Sequence, residues 1–315
     1  MSGAAKVGGL VEGLGYITDD LDGFAARLRD RFGVSGFAPE ASRAGEAGLF
    51  RRRGAVVVGD LRIEALELDL HAPVMRPPAL QGGVARPHHL ACVTTAPPER
   101  AAAQALVGRL GLAPLPQPAE GRILYADAGR DLGQLLAFRH GEPDVGGSVG
   151  GPDAQDPCLF AGGFQLGYVT RHIESALARL SEVLAITDWM RVETIAQPGE
   201  APRMTRHVAL AWSGGWMFEL IEPNWEAPNI YAEFLPQDGG TARFHHLGLF
   251  VPDDAAFDAI EAKAARLNLP VAYRGGTAPF RFNYLDTRAE LGHYLEYLTP
   301  GVRGAPSLLD RVPRN

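Results

Sequence analysis

Apolar residues along this chain follow two rhythms in turn, and the whole alternation repeats four times. A short strand-like run opens each unit: Gly13-Leu14-Gly15-Tyr16-Ile17, His89-Leu90-Ala91-Cys92-Val93, Gln165-Leu166-Gly167-Tyr168-Val169 and His246-Leu247-Gly248-Leu249-Phe250. Apolar residues at helical spacing come next. In the first unit they are Leu21, Phe24, Leu28 and Phe32, after Thr18-Asp19-Asp20 and before Gly33. In the second they are Ala103, Leu106 and Leu110, before Gly111. The third has Ile173, Ala176, Leu177, Leu180 and Leu184, and the fourth has Phe257, Ile260, Ala264 and Leu267 between a capping Asp253 or Asp254 and Asn268. Strand-like runs close the units at Leu61–Leu70, Leu132–Arg139, Trp216–Ile221 and Tyr294–Leu298. A period of about 76 to 81 residues defines the folding unit.

Strand, helix and further strands in each unit predict an α+β protein. A Gly/Pro-rich stretch from His140 to Gly163 reads as a linker, so the repeats pair two and two. The expected division is residues 1–140, a linker over 141–163, and 164–315. Shorter connections at Pro73–Pro87 and Pro223–Thr241 join the partners within each pair.

Strand side chains alternate faces, which puts Gln165 with Gly167 and His246 with Gly248 on one side of a sheet. The closing strands, Glu219-Leu220-Ile221-Glu222-Pro223 and Glu296-Tyr297-Leu298-Thr299-Pro300, align on a glutamate. Two such repeats facing each other would bring Gln165, Glu219, His246 and Glu296 to one point. An amide oxygen, an imidazole and two carboxylates suit a divalent cation, with positions left for substrate. Without a cation they would be buried polar groups lacking partners. The residue immediately before the Leu-Gly pair holds the register, so His246 is selected and His245 is expected to face away. In the first two repeats the same positions hold Gly13, Glu64 or Glu67, His89 and Ala137. Glycine and alanine cannot ligate, so the first half is expected to keep the fold without the metal, with His89 a hydrogen-bonded core residue.

Bulk properties narrow the partners. The 315 residues carry a formal charge of −7 and are 46% apolar, which gives no reason to expect nucleic acid or an anionic membrane. No run approaches a membrane span, and the N-terminus lacks a secretory pattern. Cys92 and Cys158 are read as buried thiols, and a cytoplasmic location is expected. A small molecule is the expected partner, with homo-oligomer formation left open.

The chain resembles the vicinal oxygen chelate superfamily, which includes glyoxalase I, methylmalonyl-CoA epimerase, extradiol dioxygenases and bleomycin-resistance proteins. The segments that carry the resemblance best are Phe244-His245-His246-Leu247-Gly248-Leu249 and Gly292-His293-Tyr294-Leu295-Glu296. It implies four βαβββ modules paired into two curled mixed sheets with helices outside, and one divalent ion (Zn, Ni, Co, Mn or Fe). The set Gln165, Glu219, His246 and Glu296 is similar to that of some glyoxalase I enzymes. Four modules in one chain is instead the layout of extradiol dioxygenases, which hold iron with two histidines and a glutamate. The ligands favour an isomerase or lyase that moves a proton beside a metal-chelated carbonyl. Glu296 would be the base and Glu219 the second shuttle, or the reverse. An Fe(II) ring-cleaving dioxygenase and a non-catalytic binding protein are the alternatives. Candidate substrate-binding residues are Tyr284, His293, His207, Arg203 and Arg281, with Arg206 near them. Tyr168, Trp212, Trp216 and Phe282 are candidates for an apolar wall.

Overall fold

The computed structural model describes residues 11–41, 50–68, 85–93, 100–116, 123–139, 147–149, 156–193, 203–236, 239–277, 280–299 and 308–315. The first module comprises β1 (Val11–Thr18), α1 (Leu21–Asp30), β2 (Glu40–Ala41), β3 (Phe50–Val58) and β4 (Leu61–Leu68). The second comprises β5 (Arg86–Val93), α2 (Arg100–Arg109), β6 (Ala113–Pro114), β7 (Ile123–Ala128), α3 (Gly129–Leu132) and β8 (Gln134–Arg139). After β9 (Gly147–Val149), the third holds β10 (Gly163–Val169), α4 (Ile173–Leu184), β11 (Met190–Glu193), β12 (Thr205–Ser213) and β13 (Trp216–Pro223). The fourth holds β14 (Arg243–Phe250), α5 (Asp254–Arg266), β15 (Val271–Thr277), β16 (Phe280–Asp286), α6 (Arg288–Leu291) and β17 (Tyr294–Leu298).

The strands form two curled mixed sheets, ordered β2-β3-β4-β1-β5-β8-β7-β6, with β9 beside β3, and β11-β12-β13-β10-β14-β17-β16-β15. The α+β class and the paired sheets therefore match the sequence reading. In both sheets the modules meet through antiparallel first strands, and each first strand runs parallel to its own module's last. The parallel pairing requires a crossover, and the helix of each module supplies it on the apolar face.

Local chemistry sets the helix starts. Asp20 accepts from the Gly23 amide and Asp253 from the Ala256 amide, each at 2.8 Å. Helix α4 has no side-chain cap of its own. Its Ile173 amide donates instead to Glu222 of β13 at 2.8 Å, and Leu21 of α1 donates to Glu67 of β4 at 3.3 Å. The spacing Glu64…Glu67 thus repeats Glu219…Glu222, and the second glutamate of each pair faces the helix.

One hydrophobic cluster spans both sheets. It takes Leu14, Tyr16, Leu90 and Cys92 from the first, and Leu166, Tyr168, Leu247 and Leu249 from the second. Cys92 and Cys158 are both buried free thiols. Of residues 141–163, β9 joins the first sheet, and Leu159 and Phe160 are fully buried in the shared cluster. Polar contacts lock the two halves together. The Tyr16 hydroxyl donates to His293 Nε2 at 2.8 Å, the Tyr168 hydroxyl donates to Gln134 at 2.9 Å, and Arg179 forks onto Asp131.

Two segments close over the polar face of the second sheet. Ile230, Tyr231, Phe234 and Leu235 come from the connection at 223–241, which makes it a wall of the bowl rather than a simple joint. At the other side Leu309 and Val312 pack on Leu210, Met217 and Trp212, and the C-terminus pairs with β12 through the Trp212 amide and carbonyl. Among the described residues no helix is long and apolar enough to cross a membrane.

The Tyr16–His293 bond offers a measure of the contact between halves. His293 Nδ1 is 2.7 Å from the Tyr294 carbonyl, which can only accept, so Nε2 is the acceptor for Tyr16. Replacing Tyr16 with Phe strands that buried nitrogen. Urea denaturation is expected to show a loss of about 1–3 kcal/mol without loss of fold; an unchanged midpoint would contradict this assignment.

Candidate metal centre

Two glycines at the middle of the second sheet make room for four polar side chains. Gly167 is flanked in register by Glu219 on β13 and His246 on β14, and Gly248 by Gln165 on β10 and Glu296 on β17. Residues opposite one another on adjacent strands share a face, so all four rise from the same side. A Cβ on Gly167 would stand 1.9 Å from His246 Cε1, and one on Gly248 would stand 2.5 Å from Gln165 Oε1. The side chains lie across the very positions that any larger residue would fill.

The four heads converge. His246 Nε2 lies 3.1 Å from Glu219 Oε2 and 3.2 Å from Glu296 Oε2, and Gln165 Nε2 donates to Glu219 Oε2 at 2.9 Å. Donor atoms of Glu219, His246 and Glu296 all fall within 4.8 Å of one another. Although His246 Nε2 is close to both carboxylates, it is not aligned for a hydrogen bond with either. It remains without a hydrogen-bond partner, as do Gln165 Oε1 and Glu296 Oε2, all buried. Buried polar atoms without hydrogen bonds are costly, and a cation among Glu219, His246 and Glu296 would satisfy the imidazole and carboxylate atoms left over. Glu219, His246 and Glu296 therefore fit a divalent ion, and Gln165, expected as a fourth ligand, turns its NH2 onto Glu219 beside them.

The electrostatics agree. Burial alone would push His246 down, but the Glu296 and Glu219 carboxylates reverse this and raise its pKa to about 9. Burial raises the pKa of Glu219, with His246 opposing and Glu296 adding to the rise. Two anions crowded out of water recruit positive charge, supplied in the metal-free chain by the imidazolium and otherwise by a metal.

His245 does not face away, as the alternation of a regular strand would require. The register slips between Gly167↔His246 and Tyr168↔Phe244, leaving His245 as the extra residue of a β-bulge. Its Nδ1 lies 3.0 Å from His246 Nδ1 and its Nε2 lies 3.2 Å from the Ile230 carbonyl. Tyr231, Phe234, Tyr284 and Tyr294 surround its ring. The doubled histidine was the visible signal, but a bulge has no signature in alternation.

Of the substrate-binding candidates, Tyr284 stands beside the centre. It pairs with Glu296 across β16 and β17, and its ring lies 5.2 Å from that of His246. The other placements differ from expectation. His293 points into the shared core against Tyr16 and Phe244, because it is one residue out of phase with Tyr294 and Glu296. His207 pairs with Glu222, the residue that caps α4, and so lies on the helix side of its strand. Arg281 reaches back to Asp254 and Asp258 on α5 and over the Phe257 ring. Arg203 and Arg206 are exposed at the start of β12, with Arg206 4.0 Å from Glu222. Tyr168 and Trp216 belong to the shared core, whereas Trp212 and Phe282 line the bowl. Residues 194–202, between β11 and β12, lie outside the described residues.

The first sheet repeats the geometry with different contents. Gly15 is flanked by Glu64 and His89 as Gly167 is by Glu219 and His246, which selects Glu64 over Glu67. Glu64 is bound by Arg62 Nε at 2.5 Å, by Arg139, and by His89 Nε2 at 3.1 Å. Guanidinium groups occupy the place that a cation would take. Burial, aided by Arg62, lowers the His89 pKa to about 3 and keeps the ring neutral.

No protein-family model and no curated protein matches the sequence. Solved structures do match. A triple mutant of 4-hydroxymandelate synthase from Streptomyces coelicolor is 13% identical, with 96% of this chain and 95% of that chain covered at a TM-score of 0.54. The Mn(II)-bound glyoxalase from Novosphingobium aromaticivorans is 12% identical, with 93% and 82% covered and a TM-score of 0.52. A variant of homoprotocatechuate 2,3-dioxygenase from B. fuscum is 15% identical, with 99% and 77% covered and a TM-score of 0.51. The chain shares the fold of these structures.

Two outcomes follow from this geometry. Elemental analysis of the purified protein is expected to give one divalent ion per chain rather than two, with Gly167→Ala losing it through collision with His246. In EDTA, the proton on His246 stabilises the folded chain fully below its ordinary pKa of 6.5, and this contribution is lost as pH rises toward about 9. The urea midpoint should therefore fall over that window without metal, whereas affinity for the ion should rise over it. A flat profile without metal would contradict the placement of His246 between two carboxylates.

Proposed function

We propose that this chain is a divalent-metal-dependent isomerase or lyase of glyoxalase type, moving a proton next to a chelated carbonyl of a small oxygenated substrate. The observation that carries this reading is the inequality of the two carboxylates. Glu219 is tied by the Gln165 amide at 2.9 Å, while Glu296 Oε2 has no hydrogen-bond partner. In this reading Glu296 is the freer base, and Glu219, across His246 from it, returns the proton. A bound divalent ion supplies the positive charge against which a substrate oxygen gains electron density as the neighbouring C–H bond weakens. Tyr273, Phe282, Tyr284 and Tyr294 wall the bowl beside Glu296 and exclude water from the proton's path. An aromatic wall of this kind favours a planar or aryl-bearing substrate.

A second reading, ring-cleaving oxidation, is favoured by one observation. The neighbour named as a 2,3-dioxygenase matches the fold as well as the glyoxalase does. Against it stands the donor set, which offers one imidazole toward the cation where an iron oxygenase site characteristically uses two.

Chelation is expected to abolish turnover of 2-oxo or 2-hydroxycarbonyl substrates, and added Mn(II), Ni(II) or Zn(II) to restore it. Glu296→Gln should lower kcat by about 10²–10⁴-fold and stop exchange of the substrate C–H proton with deuterated solvent. Oxygen uptake with catechols by the iron-loaded protein, without such exchange, would establish ring cleavage instead. Ligand binding unaffected by Glu296→Gln, with no turnover or exchange, would leave a binding protein.

A further inference from the structure

The bulge that brings His245 beside His246 has a chemical consequence for the metal centre, and the inference drawn from it rests on the metal-binding reading given above. A backbone carbonyl can only accept a hydrogen bond. At 3.2 Å from the Ile230 carbonyl, His245 Nε2 must therefore carry the hydrogen. His245 is fully buried, with Nε2 on the Ile230 carbonyl and Nδ1 on His246 Nδ1. In a neutral ring with hydrogen on Nε2, Nδ1 is a bare acceptor. The contact between His245 Nδ1 and His246 Nδ1, at 3.0 Å, then needs its hydrogen on His246. His246 Nε2 then faces the point where Glu219 and Glu296 converge, and a cation there would take the lone pair in place of the proton.

We infer that His245 is a positioning residue: the chain from the Ile230 carbonyl through His245 to His246 holds the His246 ring in the orientation and tautomer that present Nε2 to the cation. The surroundings support a fixed role. Tyr231 and Phe234 rings each lie 4.7 Å from the His245 ring, and Tyr294 lies 4.9 Å away, leaving it no room to turn. Ile230, Tyr231 and Phe234 all belong to the segment following β13, so that segment also sets the ligand's electronic state. An outer hydrogen bond of this kind raises the basicity of a ligating imidazole and removes the competing tautomer.

The test uses full-length protein and Zn(II) as the probe. His245→Phe keeps the ring packing but removes the acceptor. His245→Asn places an amide oxygen near the position of Nδ1 and can restore it. Competition titration with a chromophoric chelator is expected to show Zn(II) affinity reduced about 10–100-fold in His245→Phe and largely recovered in His245→Asn. In ¹⁵N-labelled, Zn(II)-loaded wild type, the His246 resonances should show hydrogen on Nδ1 and metal on Nε2. Phe binding Zn(II) as tightly as wild type, Asn binding as weakly as Phe, or hydrogen found on Nε2 of His246 would overturn the inference. Should His245→Phe fail to fold, the Asn variant and the wild-type spectrum still decide it. Wild type that binds no Zn(II) would overturn both this inference and the metal-binding reading, whereas the other outcomes touch His245 alone.

Discussion

Holding two carboxylates and an imidazole at one buried point is the constraint around which the second half is arranged. The carboxylates repel one another and lose hydration, and nothing apolar nearby compensates them. Gly167 and Gly248 make the convergence sterically feasible, since each is flanked by two of the four polar residues and a side chain at either would occupy the same space. The paired first strands, the parallel closing strands and the bulge at His245 all serve to aim those groups. A cation resolves the electrostatic conflict, and the chain's own imidazolium resolves it partly in the cation's absence.

The first half works as an internal comparison. Its backbone repeats the same strand order and the same glycine-against-histidine contact, with a Cβ on Gly15 falling 2.1 Å from His89 Nε2. Yet Gly13 and Ala137 stand where Gln165 and Glu296 stand in the second half, and Arg62 and Arg139 neutralise Glu64. Positive charge is needed beside the remaining carboxylate in both bowls; one carries it on the chain and the other leaves a place for it. The apolar faces of both bowls then share a single core, so the first half stabilises the second even without chemistry of its own.

Around the centre, the walls come from chain segments that regular patterning does not single out. The stretch after β13 brings Tyr231 and Phe234 against His245, and the C-terminal residues Leu309 and Val312 cover Leu210 and Met217, the cross-strand partners of Glu219 and Gln165. Part of the bowl's wall thus comes from connections and termini, while the converging polar groups come from the central strands.

By itself the sequence determined the repeat, the helix that follows each opening strand and the pairing of modules, and it proposed four donors for one point. These follow from periodicity, which is local, and from the coincidence of Gln165, Glu219, His246 and Glu296 at matched positions in two copies. It did not determine which way His245, His293, His207 or Arg281 would point. A one-residue bulge reverses the face of His245, an odd offset of three residues from Glu296 sends His293 into the core, and α5 draws Arg281 away with two aspartates. Those outcomes depend on contacts between residues far apart in the chain, such as Tyr16 with His293 or Ile230 with His245, and only tertiary structure brings such residues within hydrogen-bonding distance.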